Sequence, residues 1–333
     1  MLSSSTILIT GGTGSFGHEF VSKTLQHFNP NKLIVFSRDE MKQWEMAKRF
    51  EGDSRVRFFI GDVRERDRLY RAFEGVDYVV HAAATKIVPT AEYNPFECVK
   101  TNIIGAMNVV DAAIDQGVKK VVALSTDKAS SPINLYGATK LASDKLFIAG
   151  NSSYAGGSKT RFSVVRYGNV IGSRGSLVPY LIQARETGFV NITDPRMTRF
   201  MVTLDDAVSM VWQAFSDMIG GEIYVKKIPS VRLMQIVDVI APNAEKIIIG
   251  IRPGEKLHEQ MIGSDECLHT YDYGDYYKIL PSINDWDKDE NRRKGGKLVQ
   301  EGFVYSSKTN DWWFEDHEIF KWVESSSQNT PAT

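Results

Sequence analysis

Two short polar segments lie close together near the middle of the sequence and carry side chains suited to acid–base chemistry. The first is Ser125-Thr126-Asp127-Lys128, and the second is Tyr136-Gly137-Ala138-Thr139-Lys140. They place hydroxyls, a carboxylate, two amines and a phenol within sixteen residues. An apolar run typical of a buried strand, Val121-Val122-Ala123-Leu124, precedes them. We therefore expect these groups at the carboxyl end of a strand, where open α/β sheets hold their ligands.

Tyr136 and Lys140 are four residues apart in a segment, 135–146, whose pattern predicts a helix. That spacing places both side chains on one helix face. An exposed pair on an amphipathic helix would have the same spacing. We favour a catalytic pair, in which the charge of Lys140 lowers the pKa of Tyr136 and makes the phenol a general base near neutral pH.

The chain opens with a strand, a glycine-rich turn and a helix, in the order that dinucleotide binding requires. The β-rich run Thr6-Ile7-Leu8-Ile9-Thr10 is followed by Gly11-Gly12-Thr13-Gly14-Ser15-Phe16-Gly17. Gly11 allows a tight turn, Gly14 lets the backbone approach a pyrophosphate, and Gly17 permits close helix packing. The expected cofactor-binding residues of this turn are Gly11, Thr13, Gly14, Ser15, Phe16 and Gly17.

The second predicted strand ends in Ser37-Arg38-Asp39-Glu40, where the cofactor ribose should be recognised. A hydroxyl followed by an arginine suits a 2′-phosphate, because guanidinium binds phosphate in a fork. Ser37 and Arg38 therefore favour NADP. Asp39 and Glu40 keep NAD open as the alternative, because NAD enzymes present a carboxylate near this position.

Later strand ends supply further expected cofactor contacts. Asp62 and Val63 follow the third predicted strand, where Asp62 either meets the adenine or caps the helix that begins near Arg64. Ala82, Ala83 and Ala84 follow the fourth strand, and their small side chains leave room for the nicotinamide half of the cofactor.

Candidate ligands for a substrate are basic residues near these strand ends. Lys86 follows the alanine run, and a surface charge is its alternative reading. Arg174, Arg199 and Arg252 are candidate diphosphate ligands, with surface salt bridges as the alternative.

Composition limits the protein class. The 333 residues include 42% hydrophobic and 24% charged residues, and a formal net charge of −1 argues against a nucleic-acid binder. Cys98 and Cys267 are isolated, so we expect buried thiols and no metal site. No stretch has the length of a membrane span or the form of a signal peptide, which favours a cytoplasmic protein without membrane contact.

The fold prediction is an α/β protein with a Rossmann-type doubly wound parallel sheet and a smaller C-terminal substrate-binding lobe. The NADP-binding domain is predicted to comprise residues 1–168 and 197–228. The lobe is predicted to comprise residues 169–196 and 229–324, followed by a disordered tail, 325–333.

The glycine turn, the Tyr136–Lys140 pair and the arginine-bearing C-terminal segment together resemble the extended short-chain dehydrogenases that act on nucleotide-linked sugars. Four further segments resemble the inverting UDP-N-acetylglucosamine 4,6-dehydratases of pseudaminic acid biosynthesis, a bacterial route whose product goes to flagellin glycosylation or to surface polysaccharide. They are Thr126-Asp127-Lys128, His81-Ala82-Ala83-Ala84-Thr85-Lys86, Tyr167-Gly168-Asn169-Val170 and Arg252-Pro253-Gly254-Glu255-Lys256-Leu257-His258-Glu259. The similarity extends from about Thr6 to about Ser307.

The resemblance implies a hydro-lyase with a redox-neutral cycle. Tyr136, oriented by Thr126 and supported by Lys140, deprotonates the 4-hydroxyl while NADP takes a hydride from C4. Lys128, neutral when it acts, removes the C5 proton, Asp127 protonates the departing 6-hydroxyl, and the hydride returns to C6. The resemblance also ties Lys128 to inversion at C5, because the related retaining enzymes carry a glutamate there.

The resemblance further implies UDP-N-acetylglucosamine as the substrate and a homo-oligomer as the assembly. The implied substrate-binding residues are Lys86, Asn169, Val170, Arg174, Gly175, Ser176, Leu177, Arg199 and Arg252. Two alternatives remain open at this stage: a UDP-sugar 4-epimerase or a dehydratase/epimerase of another amino-sugar pathway, and a non-catalytic NADP-sensing protein on the same scaffold.

Overall fold

The computed structural model describes residues 1–152, 159–173 and 177–321, apart from the side chains of residues 284 and 285. Its strands in chain order are β1 (Thr6–Thr10), β2 (Lys32–Ser37), β3 (Val56–Ile60), β4 (Tyr78–His81), β5 (Lys120–Thr126), β6 (Arg161–Tyr167), β7 (Asn169–Val170), β8 (Phe189–Ile192), β9 (Thr198–Val202), β10 (Ile223–Lys226), β11 (Ser230–Arg232), β12 (Glu245–Ile248), β13 (Gln260–Ile262), β14 (Thr270–Asp272), β15 (Tyr276–Ile279), β16 (Lys297–Leu298) and β17 (Tyr305–Ser306).

The helices in chain order are α1 (Ser15–His27), α2 (Glu40–Arg49), α3 (Arg66–Phe73), α4 (Val88–Tyr93), α5 (Pro95–Val99), α6 (Gly105–Asp115), α7 (Leu135–Ala149), α8 (Leu177–Thr187), α9 (Leu204–Asp217), α10 (Leu233–Ile240) and α11 (Glu290–Arg293). A π-helical turn, Lys100–Ile104, leads into α6, and a 3₁₀ turn, Asp127–Ala129, follows β5.

One sheet of ten strands organises the molecule, in the order β16-β14-β15-β10-β6-β5-β4-β1-β2-β3. Neighbouring strands from β3 to β10 are parallel, whereas β15, β14 and β16 continue the sheet antiparallel. Helix α1 packs against α9, and α6 packs against α3 and α7, so two groups of helices flank the sheet. The predicted Rossmann-type fold is confirmed.

The parallel strands form where the sequence has β-branched and apolar runs, because both sheet faces are covered. In β5, every residue after Lys120 is buried, and β6 has the same pattern. Strand order reverses between β1 and β4, which pair with each other although β2 and β3 follow β1 in the chain. Such a switch point opens a crevice at the carboxyl ends of the strands, where α/β proteins hold ligands.

A second, smaller core lies outside the sheet. It includes Val178 and Leu181 of α8, Ile236 and Val237 of α10, and Met201 of β9. Strands β14, β15 and β16, which lie within the segment predicted as the lobe, extend the main sheet. Residues 229–321 thus contribute both to the sheet, where β15 pairs directly with β10, and to the second core.

Several predicted features lie outside the described residues: the candidate ligands Arg174, Gly175 and Ser176, and the tail 325–333. Across the described part of the chain, helices fall short of the length and apolarity that crossing a bilayer demands.

Candidate active site

A cavity of about 730 Å³ opens at the carboxyl ends of the parallel strands. Every cofactor-binding residue predicted from the sequence lines it: Gly11, Thr13, Gly14, Ser15, Phe16, Gly17, Ser37, Arg38, Asp39, Asp62, Val63, Ala82, Ala83, Ala84, Tyr136 and Lys140. Thr126 and Lys128 also line the cavity. The sheet topology therefore brings the glycine turn and the catalytic segments to one place.

The glycine turn leaves no room for side chains at two positions. Gly11 has a φ of +65°, and a Cβ there would lie 2.8 Å from the backbone of Ala83. A Cβ on Gly17 would lie 2.0 Å from the carbonyl oxygen of Gly12. Helix α1 starts after Gly14, which contributes no side-chain acceptor to the helix N-terminus. These residues fit a dinucleotide, because backbone N–H groups at a helix start can receive its pyrophosphate.

At the end of the cavity where the ribose is expected, the Asp39 carboxylate caps helix α2. This carboxylate accepts a hydrogen bond from the Lys42 N–H at 3.0 Å and forms an ion pair with the Lys42 amine at 3.0 Å. Ser37, Arg38 and Lys42 line the same part of the cavity. The sequence analysis did not predict Lys42 as a cavity residue. Its position in the first turn of α2, close after Ser37 and Arg38, could have indicated it.

The prediction that Asp62 caps the following helix is wrong, because α3 begins at Arg66 with Glu65 as its N-cap; Asp62 instead closes a local turn onto Arg64. Oδ1 accepts the Arg64 N–H at 3.0 Å, and Oδ2 pairs with the Arg64 guanidinium at 2.7 Å. Arg38 lies 3.8 Å from the same Oδ2. Although burial raises the pKa of Asp62, its hydrogen bonds with Arg64 outweigh burial and hold that pKa below its usual value.

The two segments predicted to be catalytic meet because helix α7 packs directly on the 3₁₀ turn after β5. A Cβ on Gly137 would lie 2.2 Å from the Lys128 carbonyl oxygen, so the close approach requires glycine. Asn134 caps α7 by accepting the Gly137 N–H at 2.7 Å, and it donates to the Gly254 carbonyl at 2.7 Å. The cap therefore also ties the helix of Tyr136 to the segment that carries Arg252.

Tyr136 is buried and has a pKa raised to about 12. Burial causes the rise, while the charge of Lys128 and a hydrogen bond with Thr126 act in the opposite direction. Lys140, which the sequence paired with this phenol, donates to the Leu124 carbonyl at 2.7 Å. Burial lowers the pKa of Lys140, and nearby Asp144 opposes that effect. In this structure, the lysine that lowers the pKa of Tyr136 is Lys128.

Asp127 lies behind the cavity wall, fully buried. Its Oδ1 accepts hydrogen bonds from the Thr126 hydroxyl at 2.9 Å and from Lys128 Nζ at 3.0 Å. Burial raises the pKa of Asp127, which favours the carboxylic acid form. Lys128 Nζ also lies 3.5 Å from Asn169 Oδ1, so the amine faces both the acid and the substrate side.

Lys128 has a second acidic neighbour that the sequence did not assign. Glu259 Oε1 lies 3.3 Å from Lys128 Nζ and 3.8 Å from Arg199 Nε. Although burial lowers the pKa of Lys128, Asp127 and Glu259 raise it above its ordinary value. The sequence shows Glu259 only as one residue of the C-terminal motif. Its contact with Lys128 could not be predicted, because the two residues lie in distant segments of the chain.

A network of charged side chains lies next to Lys140 and interacts with it through Asp144. Asp144 accepts the Ser125 hydroxyl at 2.8 Å and pairs with Arg166 at 3.5 Å. Arg166, which has no exposed surface, also pairs with Glu266 at 3.0 Å. Burial raises the pKa of Asp144, and Arg166 and Lys140 lower it. Asp144, Arg166 and Glu266 were not predicted as functional, because only the strand pairing of Ser125 with Arg166 brings them to the site.

Asn102 holds the segment that leads to Lys86. Within the π-helical turn, its amide oxygen accepts the Thr85 N–H at 2.8 Å, while its amide nitrogen donates to the Thr85 carbonyl at 3.0 Å. The same nitrogen donates to the Thr139 hydroxyl of α7 at 3.0 Å. One buried amide therefore fixes the backbone before Lys86 against the catalytic helix.

The predicted substrate ligands are only partly brought together. Residues that line the cavity are Lys86, Asn169, Val170, Leu177 and Arg252. Arg199 does not line it, because its Nη1 donates to the carbonyls of Thr198 and Leu257 at 2.8 Å and 3.1 Å. The described residues contain no group of three His, Cys, Asp or Glu side chains arranged to hold a metal ion.

A family model, curated proteins and solved structures each show similarity to this chain. Residues 7–281 match a family described as polysaccharide biosynthesis protein. A UDP-N-acetylglucosamine 4,6-dehydratase (inverting) of Campylobacter jejuni is 52% identical over 328 residues, covering 96% of this chain and 98% of the relative. A UDP-glucose 4-epimerase of Rickettsia conorii is 44% identical and covers 82% of both chains. The X-ray structure of Pen from Bacillus thuringiensis superimposes with a TM-score of 0.89 at 37% identity, covering 98% of this chain and 99% of the other.

Proposed function

The chain belongs to the polysaccharide biosynthesis protein family of extended short-chain dehydrogenases, and we propose that it is an inverting UDP-N-acetylglucosamine 4,6-dehydratase. The observation that carries this proposal is the hydrogen-bonded pair of Asp127 and Lys128 beside Thr126 and Tyr136. A 4-epimerase needs the phenol, a lysine and a hydroxyl, but it has no use for an added acid and base. Elimination of water across C5 and C6 requires both.

The oxidation half uses Thr126, Tyr136 and Lys140. When bound, NADP supplies a hydride acceptor for C4 and a hydride donor for C6, and its oxidised ring carries a positive charge. Thr126 orients the 4-hydroxyl, and the Tyr136 phenolate accepts its proton. Because the pKa of Tyr136 is about 12, nearby positive charge is needed to make the phenolate available, and Lys128 already acts in that direction.

The elimination half uses Asp127 and Lys128. The 4-ketone acidifies C5–H, Lys128 takes that proton, and Asp127 gives its own proton to the 6-hydroxyl, which leaves as water. The resulting C5=C6 double bond then gains a hydride at C6 and a proton from solvent at C5, and addition of that proton on the face opposite Lys128 inverts C5. The elimination, which follows the oxidation, begins from a neutral amine and a carboxylic acid. The Lys128–Asp127 ion pair reaches that form when one proton moves along the 3.0 Å hydrogen bond from Nζ to Oδ1.

NADP is the proposed cofactor, with Ser37, Arg38 and Lys42 as ligands of the 2′-phosphate. Support comes from Asp39, whose carboxylate caps α2 and pairs with Lys42. Removal of a charge-assisted hydrogen bond costs about 1.5–3 kcal/mol, so Arg38→Ala should weaken NADP binding about 10- to 100-fold. Calorimetric titration with NAD is the control, and an equal loss for both dinucleotides would contradict the 2′-phosphate assignment.

Product analysis tests the reaction. The protein, loaded with NADP and given UDP-N-acetylglucosamine in D₂O, should release a sugar nucleotide lighter by one water, apart from the incorporated deuterium. NMR of the product should show an inverted C5 that carries deuterium. A 4-epimerase, which is the name of the Rickettsia relative, would instead give an isomer of unchanged mass. That product would refute the proposed dehydratase activity.

Lys128→Ala should abolish C5 deuterium incorporation while NADP stays bound. Lys145→Ala is the matched control, because Lys145 is an exposed lysine on α7 that does not line the cavity. Persistent C5 exchange in the Lys128 variant would remove this residue from the role of base. Loss of exchange in both variants would attribute the effect to a disturbed helix.

A further inference from the structure

Glu259 is a buried carboxylate that the proposed reaction does not use. Its side chain is 3% exposed, and it approaches both Lys128 and Arg199 through Oε1. Its other oxygen, Oε2, is buried and has no hydrogen-bond partner among the described residues. The same is true of Asp127 Oδ2. Lys128 therefore lies between two carboxylates, each with one oxygen left unsatisfied.

The backbone holds Glu259 in a defined place. Its N–H donates to the Ser307 hydroxyl at 2.9 Å, and its carbonyl accepts the Ser307 N–H at 2.9 Å. The Ser307 hydroxyl lies 2.7 Å from that of Thr198, next to Arg199. Strands β13 and β17 pair immediately beyond these contacts. This rigid support fits a residue whose task is to fix the position of another group.

We propose that Glu259 is a positioning residue that holds the Lys128 amine opposite Asp127 and controls how readily Lys128 passes its proton to Asp127. The inference rests on the proposed function, in which Lys128 is the base at C5. The controlled step moves one proton from Nζ to Oδ1 and leaves a neutral amine and a carboxylic acid. No electron is transferred, and no other reactant is needed.

The charges around the amine give the sign of this control. Asp127 and Glu259 stabilise the Lys128 ammonium, whereas Arg199 opposes it. Burial raises the pKa of Glu259, but Lys128, Arg199 and Lys256 together hold that pKa below its usual value, so Glu259 is ionised. Tyr136 faces Lys128 as well and is affected by its charge. Loss of the Glu259 charge makes the neutral amine easier to form, and loss of Arg199 makes it harder.

Titration of Lys128 tests the proposal without reference to turnover. The Cε resonance of Lys128 is followed by NMR in NADP-loaded protein carrying ¹³C-lysine, and it is assigned by its disappearance in Lys128→Ala. Nearby charges shift a pKa by about one to three units. We expect Glu259→Gln to lower the titration midpoint of Lys128 by at least about one pH unit. An unchanged midpoint would overturn the proposal.

Two further variants exclude a general loosening of the site. Glu266→Gln also removes a carboxylate from an ion pair, but that carboxylate faces Arg166 and should leave the Lys128 midpoint unchanged. Arg199→Gln should raise the midpoint, opposite to Glu259→Gln, and it keeps the proposal testable if Glu259→Gln fails to fold. Equal shifts in Glu259→Gln and Glu266→Gln, or a lower midpoint in Arg199→Gln, would contradict the role of Glu259.

Turnover separates this inference from the function on which it rests. At a fixed pH, C5 deuterium incorporation should be faster in Glu259→Gln than in the unaltered protein, because loss of the Glu259 charge makes transfer of the Lys128 proton to Asp127 easier. The KM for UDP-N-acetylglucosamine should stay unchanged, because Glu259 does not line the cavity. If the NMR midpoint shifts but the rate of C5 deuterium incorporation does not change, Glu259 keeps its role and Lys128 loses that of base.

Discussion

Single residues of this site have proton affinities that depend on burial as much as on residue type. Asp127 and Tyr136 are both driven by burial toward their protonated forms. His81, at the end of β4, is another example: burial and then the charge of Lys140 lower its pKa to about 3. Its Nδ1 lies 2.9 Å from the Thr10 hydroxyl, which also accepts from the N–H groups of Ala82 and Ala83.

His81 should make the fold acid-sensitive. The pKa of His81 is lower in the folded protein than in the unfolded chain, so its contribution to stability is complete above pH 6.5 and is lost as pH falls toward 3. Linkage gives a loss of about 2 kcal/mol between pH 7.5 and pH 5 from this residue. Urea unfolding of His81→Asn should show a flatter dependence on pH across this interval. An identical slope in both proteins would contradict a neutral buried His81.

Helix α7 contributes to both halves of the proposed site. Its N-terminus packs on the Lys128 carbonyl through Gly137, its cap Asn134 reaches Gly254, and it carries Tyr136 and Lys140. A small displacement of this helix therefore changes the geometry of oxidation and of elimination together. Such precise placement favours helices over loops as carriers of catalytic groups.

Asn134 variants should separate capping from attachment to the Arg252 segment. Asn134→Ala loses the cap and the bond to Gly254, each of which contributes about 1 kcal/mol. Asn134→Asp keeps a cap acceptor but loses the amide donor, so it should retain most of the capping stability. Urea unfolding and steady-state kinetics measure both effects, with a raised KM expected for Asn134→Asp. Equal destabilisation by the two variants would show that the cap contributes little.

At the scale of the whole molecule, the cavity joins two hydrophobic cores. The main core lies around the ten-stranded sheet, and the second contains Val178 of α8, which also lines the cavity. Lys86 reaches the cavity from the sheet side, and Arg252 reaches it from the C-terminal segment. The domain ranges predicted from the sequence remain a proposal. Within the range predicted as the lobe, the strands of residues 270–298 lie in the main sheet.

The cofactor and the substrate should slow hydrogen exchange in different parts of the molecule. Hydrogen exchange of the Lys128→Ala variant avoids turnover while both ligands are present. NADP should slow exchange in α1 and at the start of α2, and UDP-N-acetylglucosamine should add protection in α8 and around Arg252. A ligand at 100 times its Kd stabilises by about 2.7 kcal/mol, which is large enough to detect. Protection confined to α1 and α2 with both ligands would refute a substrate site that includes α8.

The local features were predictable from sequence because they depend on short-range patterns. The strand–glycine–helix opening, the four-residue spacing of Tyr136 and Lys140, and the polar residues after β5 all follow from neighbours in the chain. Their convergence on one cavity followed from the rule that parallel strands present their carboxyl ends at one edge. The family resemblance supplied the division of labour between Thr126, Asp127 and Lys128.

The tertiary structure alone decided which distant side chains act on these residues. Glu259 lies far along the chain from Lys128, Arg199 turns away from the cavity, and the Arg166–Asp144 pair depends on the register of β5 and β6. No sequence spacing encodes such contacts, because packing of separate segments creates them. The charge state of Lys128 has the same origin: it follows from burial and from two carboxylates that only the fold brings to the amine.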